Sequence, residues 1–197
     1  MSTKEIIEKW NEDWDNGIRK HLIIDDVLER YDFTHIQKTI VGEGIGIGGQ
    51  NQHWKYIDNV VGNRNDSNEY SKEVKTPDLF MMACIIFVHS YVILPRQWEA
   101  TGKIWELLQP RSVIRVKCNL YPATFKIREH ENHTDYDFSH KAAILYLNTC
   151  DGYTKLEDGT KVDSVENRLL LFDAGNSHCS STCTNKKARF NINFNYF

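Results

Sequence analysis

Beyond Pro110 the chain breaks into six short segments rich in β-branched and aromatic residues, spanning 112–121, 142–147, 153–156, 168–172, 177–182 and 187–197. Turn signals separate them, among them Asp151-Gly152 and Glu157-Asp158-Gly159. A series of short strands with tight turns builds a double-sheet barrel, the jelly roll.

The first half reads differently. Ser2-Thr3-Lys4-Glu5 is a capping box, and the helix it opens carries Ile6, Trp10 and Trp14 on one face. His21-Leu22-Ile23-Ile24 predicts a short strand, and Thr34-His35-Ile36-Gln37 a second capping box ahead of a helix with Ile36 and Ile40 inward. Leu79 to Leu94 is apolar but shorter than the roughly 20 residues a membrane helix needs, and His89 and Ser90 interrupt it. It reads as a buried strand or core helix. Gln97 to Leu108 places Trp98, Ile104, Trp105 and Leu108 at helical spacing before Pro110 stops the helix.

Between these elements, 42–49 holds five glycines in eight residues, and 59–75 is polar and charged. Residues 42–75 are therefore expected to form a loop or lid, with no phosphate-cradling motif in it. The expected class is α+β: a double-stranded β-helix (jelly-roll, cupin-like) core with N-terminal helices packed on one sheet. One domain is expected over 1–197, with 1–111 mainly helical support and lid and 112–197 the core. Its 197 residues and 41% hydrophobic content suffice for one sizeable core.

A formal charge of -3 gives no long-range attraction for polyanions, so strong non-specific nucleic-acid binding is not expected. Five cysteines without a C-x-x-C pair, and an N-terminus without an apolar leader, predict a cytoplasmic protein with reduced thiols and no membrane partner. No feature of the sequence specifies an oligomeric state.

The chemistry concentrates in His133-Thr134-Asp135, His178 and Arg189. Two imidazoles and one carboxylate are the ligand set of a facial iron(II) site, which leaves coordination positions open. In an extended segment His133 and Asp135 project to the same side, and His178 comes from another strand. An H-x-D tripeptide alone is common by chance. Its weight here comes from Arg189, expected on the next strand, where a guanidinium can hold a dicarboxylate beside the metal. By alternation Asn191 and Asn193 share the face of Arg189, as polar lining or as solvated edge residues.

The order His133-x-Asp135, Ala143-Ile144-Leu145-Tyr146-Leu147-Asn148, Asp151-Gly152-Tyr153-Thr154, 167–173, His178 and Arg189 resembles the 2-oxoglutarate/Fe(II)-dependent oxygenases. It is most similar to their prolyl-4-hydroxylase-like branch, with its small bacterial and phage members. The resemblance implies that His133, Asp135 and His178 bind Fe(II) and that Arg189 holds the distal carboxylate of 2-oxoglutarate with Tyr146. Tyr121 and Asn193 are further co-substrate candidates. It also implies O2 as oxidant, succinate and CO2 as products, and a protein, peptide or small-molecule substrate, a peptidyl proline first.

Two other readings stand beside it. Cys179 and Cys183 with His130 or His140 could ligate zinc, although no tight ligand pairs frame such a site. A jelly-roll binding protein could retain the metal without catalysis. His53 and Trp54 are the aromatic candidates for substrate contact; the other tryptophans are expected to pack helices on the sheet.

Overall fold

The computed structural model describes residues 1–42, 54–57 and 79–197. The glycine-rich run after Gly42, the polar stretch 59–75 and His53 lie outside the described residues.

An eight-stranded antiparallel sheet forms the body of the molecule. In chain order its strands are β1 (Leu22–Ile24), β2 (Lys55–Ile57), β3 (Met81–Val88), β4 (Tyr91–Val92), β5 (Val113–Pro122), β6 (Lys141–Tyr146), β9 (Leu169–Asp173) and β11 (Ala188–Tyr196). They are ordered β1-β9-β6-β11-β5-β3-β2, with β4 paired to β3. A smaller sheet, β10-β7-β8, combines β7 (Tyr153–Leu156), β8 (Lys161–Asp163) and β10 (His178–Ser180).

Alternation decides what each face of the large sheet meets. On one face Ala143, Leu145, Leu169, Leu171, Ile192, Phe194 and Tyr196 pack with the helices in the main core. On the other, Ala142, Ile144, Tyr146, Leu170 and Phe172 pack with Leu156 and Val162 of the small sheet. This is why β6 and β9 are buried at every position: they are covered on both sides. The jelly-roll with helices on one sheet is what the strand series predicts.

Helix α1 (Thr3–Asp15) starts as its sequence dictates, with Ser2 and Glu5 forming both halves of the capping box. It buries Ile7, Trp10 and Trp14, while Ile6 is only partly covered. Helix α2 (Arg30–Val41) begins four residues before the predicted capping box, so Thr34 lies inside it; Glu29 precedes it without a side-chain cap. Ile36 and Ile40 are fully buried as predicted. The helix predicted over Gln97–Leu108 is two, α3 (Pro95–Ala100) and α4 (Gly102–Leu108). They part at Thr101, whose hydroxyl turns back to donate to the Trp98 carbonyl at 2.7 Å. The apolar stretch from Leu79 is a strand, β3, so the first half also contributes to the large sheet.

Candidate metal centre and co-substrate pocket

His133 and Asp135 lie on the connection between β5 and β6, not on a barrel strand, which corrects the expectation of simple strand alternation. The connection is stitched to β10 instead. The His133 and His178 backbones exchange two hydrogen bonds of 2.9 Å, forming an isolated antiparallel bridge, and the Asp135 N–H donates to the Ala174 carbonyl at 3.0 Å. The result is a cluster whose ligand atoms all lie within 4.8 Å of one another. Among the described residues no other group of three His, Cys, Asp or Glu side chains is so placed. The cysteine–histidine alternative is not assembled there.

Both imidazoles are oriented through Nδ1. That of His133 faces the Glu131 carbonyl at 3.2 Å and that of His178 the Asn176 carbonyl at 3.0 Å. A carbonyl only accepts, so Nδ1 carries the proton and Nε2 keeps a lone pair for a cation. Burial, then the neighbouring His178, pushes the His133 pKa down to about 4 and keeps the ring neutral.

Asp135 is buried and fully gripped. Arg115 Nη2 donates to Oδ1 at 2.8 Å, while Asn193 and Asn195 donate to Oδ2 at 2.9 and 2.8 Å. Burial alone would raise the carboxyl pKa. The charges of Arg115 and Lys117, the neighbouring His178 and the Asn195 hydrogen bond outweigh it, holding the group ionised well below the usual carboxylate range. Arg115 is itself held, by the Asn195 oxygen at 3.0 Å and over the Tyr136 ring at 5.2 Å.

Arg189 lies on the same face of β11, two pleats from Asn193, and none of it reaches solvent. Its Nη1 and Nη2 donate to the Ser181 carbonyl at 3.2 Å and the Thr154 hydroxyl at 2.8 Å. Tyr146 donates to that same Thr154 hydroxyl at 2.9 Å. The guanidinium sits 5.3 Å from the Tyr121 ring and 5.4 Å from the Tyr146 ring, and its Nε has no partner. Gly152 makes room for it: a Cβ there would stand 2.6 Å from the Thr182 carbonyl oxygen and 2.9 Å from Arg189 Cδ.

A pocket beside the cluster is lined by His133, Asp135, His178, Tyr121, Thr154 and Asn193 among others, and so runs from the metal-ligand cluster to Thr154 and Tyr121, which touch Arg189. Asn191 and Asn193 belong to its wall and are buried, so the solvated-edge alternative falls. Trp54 packs edge-on to Phe190 in the main core and takes no part in the pocket. Sequence reading missed Arg115, Asn119, Thr154 and Asn195. The signal was present as the alternating polar series Arg115-Lys117-Asn119-Tyr121, whose partners across β11 are Asn195, Asn193, Asn191 and Arg189.

Solved structures share this architecture. A prolyl hydroxylase from Trichoplax adhaerens, solved with a hypoxia inducible factor oxygen degradation domain peptide, superposes with TM-score 0.66 at 16% identity over 99% of this chain and 90% of its own. A 2OG-Fe(II) oxygenase family oxidoreductase from Burkholderia pseudomallei gives 0.60 at 10% identity, covering 96% and 90%. A Pseudomonas putida prolyl-4-hydroxylase gives 0.54 at 14%, covering 97% and 98%. The fold is that of the 2-oxoglutarate/Fe(II) oxygenases. No protein-family model and no curated protein sequence matches the chain.

Proposed function

We propose that this chain is an Fe(II)- and 2-oxoglutarate-dependent dioxygenase that hydroxylates an unactivated C–H bond, releasing succinate and CO2. The observation that carries the reading is Arg189. A fully buried guanidinium with an unpartnered Nε and no carboxylate among its hydrogen-bond partners is costly unless an anion joins it. It lies on the same β11 face as Asn193, which grips the carboxylate of a two-histidine, one-carboxylate cluster. A dicarboxylate bridging cation site and arginine satisfies both ends.

His133, Asp135 and His178 would hold Fe(II) through two Nε2 atoms and a carboxylate oxygen, and Arg189 would hold the far carboxylate of 2-oxoglutarate with Thr154 and Tyr146 alongside. When bound, the iron and the keto acid supply oxygen activation at the expense of decarboxylation. The protein's own share is positional. The Glu131 and Asn176 carbonyls fix the imidazole tautomers, and Arg115, Asn193 and Asn195 keep Asp135 ionised in one orientation. The buried walls keep bulk water from the reacting carbon.

The Trichoplax and Pseudomonas relatives are named for prolyl hydroxylation, which makes a peptidyl proline one candidate substrate; another protein side chain or a small molecule is the alternative. Five buried cysteines, none of them in a disulfide, fit a reducing compartment such as the cytoplasm, and no described helix is long and apolar enough to cross a membrane.

The test is an anaerobic titration of metal-free protein with Fe(II) and 2-oxoglutarate. A visible charge-transfer band that needs both additions is expected, lost in His178→Ala and in Asp135→Ala. Arg189→Ala should weaken 2-oxoglutarate by roughly 100-fold, the worth of a buried charge-assisted pair. Folded protein that gives no band would instead be a metal-retaining binding module. Unchanged 2-oxoglutarate affinity in Arg189→Ala would remove the anchor assignment.

A further inference from the structure

Two of the cysteines face each other across the loops that hold Arg189. Cys150 follows β6 and Cys183 follows β10, and their side chains are hydrogen-bonded thiol to thiol. The residues next in the chain clamp them together. The Asp151 carboxylate accepts from the Thr184 and Asn185 N–H groups at 2.7 and 3.4 Å and from the Thr184 hydroxyl, and the Asp151 N–H donates to the Asn185 side-chain oxygen at 3.1 Å. Backbone bonds fix the rest: the Cys150 N–H donates to the Ser164 carbonyl and the Cys183 carbonyl accepts from the Thr124 N–H, both at 3.0 Å.

A second pair, Cys84 and Cys118, stands directly opposite on β3 and β5, but at 1% and 0% exposure it is sealed in the main core. Cys150 is 6% exposed, and residues 184–187 beyond Cys183 are all at the surface. A small uncharged oxidant therefore meets Cys150 first. Cys183 is fully buried, and burial, then Cys150, pushes its thiol up to about 11, so it stays protonated and reacts second. The same two segments form the wall around Arg189. Gly152 stands against Arg189 Cδ and the Thr182 carbonyl, and Ser181, two residues before Cys183, accepts from Arg189 Nη1.

We infer that Cys150 and Cys183 are a reversible oxidation site: hydrogen peroxide joins them in a disulfide, and closing that bond loosens the hold of Arg189 on a dicarboxylate. Peroxide oxidises the Cys150 thiol to a sulfenic acid and releases one water. The Cys183 sulfur then attacks the oxidised sulfur, the S–O bond breaks, and the oxygen leaves with the Cys183 proton as a second water. The two sulfurs lose two electrons in all, which the O–O bond of the peroxide takes up. The new bond draws 150–152 and 181–183 closer than thiol–thiol contact. Gly152 has no clearance left, since even a Cβ would stand 2.6 Å from the Thr182 carbonyl oxygen, so the displacement falls on the contacts of Arg189. The effect on the co-substrate rests on the dioxygenase reading, whereas the disulfide does not.

The experiment treats the metal-free full chain with hydrogen peroxide, removes the peroxide with catalase and maps the thiols by alkylation and peptide mass spectrometry. A second portion is titrated anaerobically with Fe(II) and 2-oxoglutarate, with and without prior reduction by dithiothreitol. A link between the Cys150 and Cys183 peptides is expected, with Cys84, Cys118 and Cys179 still alkylated. The affinity for 2-oxoglutarate should fall about tenfold, the worth of one hydrogen bond to a charged group, and return on reduction. Cys150→Ser should abolish both changes, and reversal in the wild type decides the matter if that variant does not fold. Five intact thiols, or a link through any other pair, overturns the inference, and so does a 150–183 link that leaves the affinity unchanged. Reduced protein that gives no charge-transfer band sinks the dioxygenase reading, and the thiol map then decides the oxidation site by itself.

Discussion

His130 is an imidazole beside the proposed metal centre that the ligand cluster leaves out. Its Nδ1 meets the carbonyl and hydroxyl of Ser180 at 3.0 and 2.8 Å, its ring lies on Tyr121 at 5.2 Å, and its Nε2 has no partner. Burial, then the positive charge of Arg189, depresses its pKa from 6.5 to about 4. The native state therefore binds a proton less readily than the unfolded chain. The stability this contributes is complete above about pH 6.5 and is lost as the pH falls towards 4, on the order of 3 kcal/mol for this one group. Urea titrations of metal-free protein from pH 7.5 to 4.5 should show that decline, and His130→Gln should flatten it. A slope unchanged in the variant would assign the pH dependence to His133 and His140, which are depressed in the same direction. At this scale the sequence was legible in the order His133-x-Asp135, His178 and Arg189: the fold gathers the first three into one cluster and sets Arg189 on the β11 face that carries Asn193. Arg115 and Asn195 were visible only as members of alternating polar series, because their grip on Asp135 depends on a register between β5 and β11 that no local pattern encodes.

Among the elements, the segments that lead into α2 and β9 are tied together at Asn167, alongside the Arg30–Glu166 and Arg168–Asp25 ion pairs. Asn167 adopts a left-handed backbone, φ 62°, and is 4% exposed. Its Nδ2 donates to the Leu28 carbonyl at 2.8 Å, its Oδ1 accepts from the Leu28 N–H at 3.2 Å, and its own carbonyl accepts from Val27 at 3.0 Å. Asn167→Ala removes both side-chain bonds and places a residue less suited to positive φ, an expected loss of about 2–4 kcal/mol of unfolding free energy in urea. Asn167→Gly should lose less, because it keeps the backbone; equal losses would mean that φ contributes nothing. Elements were legible where one local signal dominated, as in the capping box of α1. Helix α2 was misplaced because Thr34, read as a cap, sits where tertiary burial of Phe33, Ile36 and Ile40 sets the helix limits. Strands β2 and β8 went unpredicted: β2 falls inside 42–75, which was read as loop or lid, and β8 offers a single buried residue, Val162, between exposed Lys161 and Asp163.

For the whole molecule, the proposed ligands bind where two sheets and the β5–β6 connection meet, so occupancy should act on global stability. At 100 times the dissociation constant a ligand adds about 2.7 kcal/mol, or roughly 5–11 °C in melting temperature for a chain of this size. Anaerobic calorimetry with Fe(II) and 2-oxoglutarate together should show that rise and its reversal by a chelator; a melting temperature indifferent to both would place them elsewhere or nowhere. Strand β11 has a consequence of its own. It lies between β5 and β6, both earlier in the chain, and it brings Arg189, Asn193 and Asn195. His133, Asp135 and His178 all precede this strand in the chain, but the two asparagines that hold Asp135 come only with it. The proposed metal centre thus acquires the full grip on its carboxylate last, with the pairing that completes the large sheet.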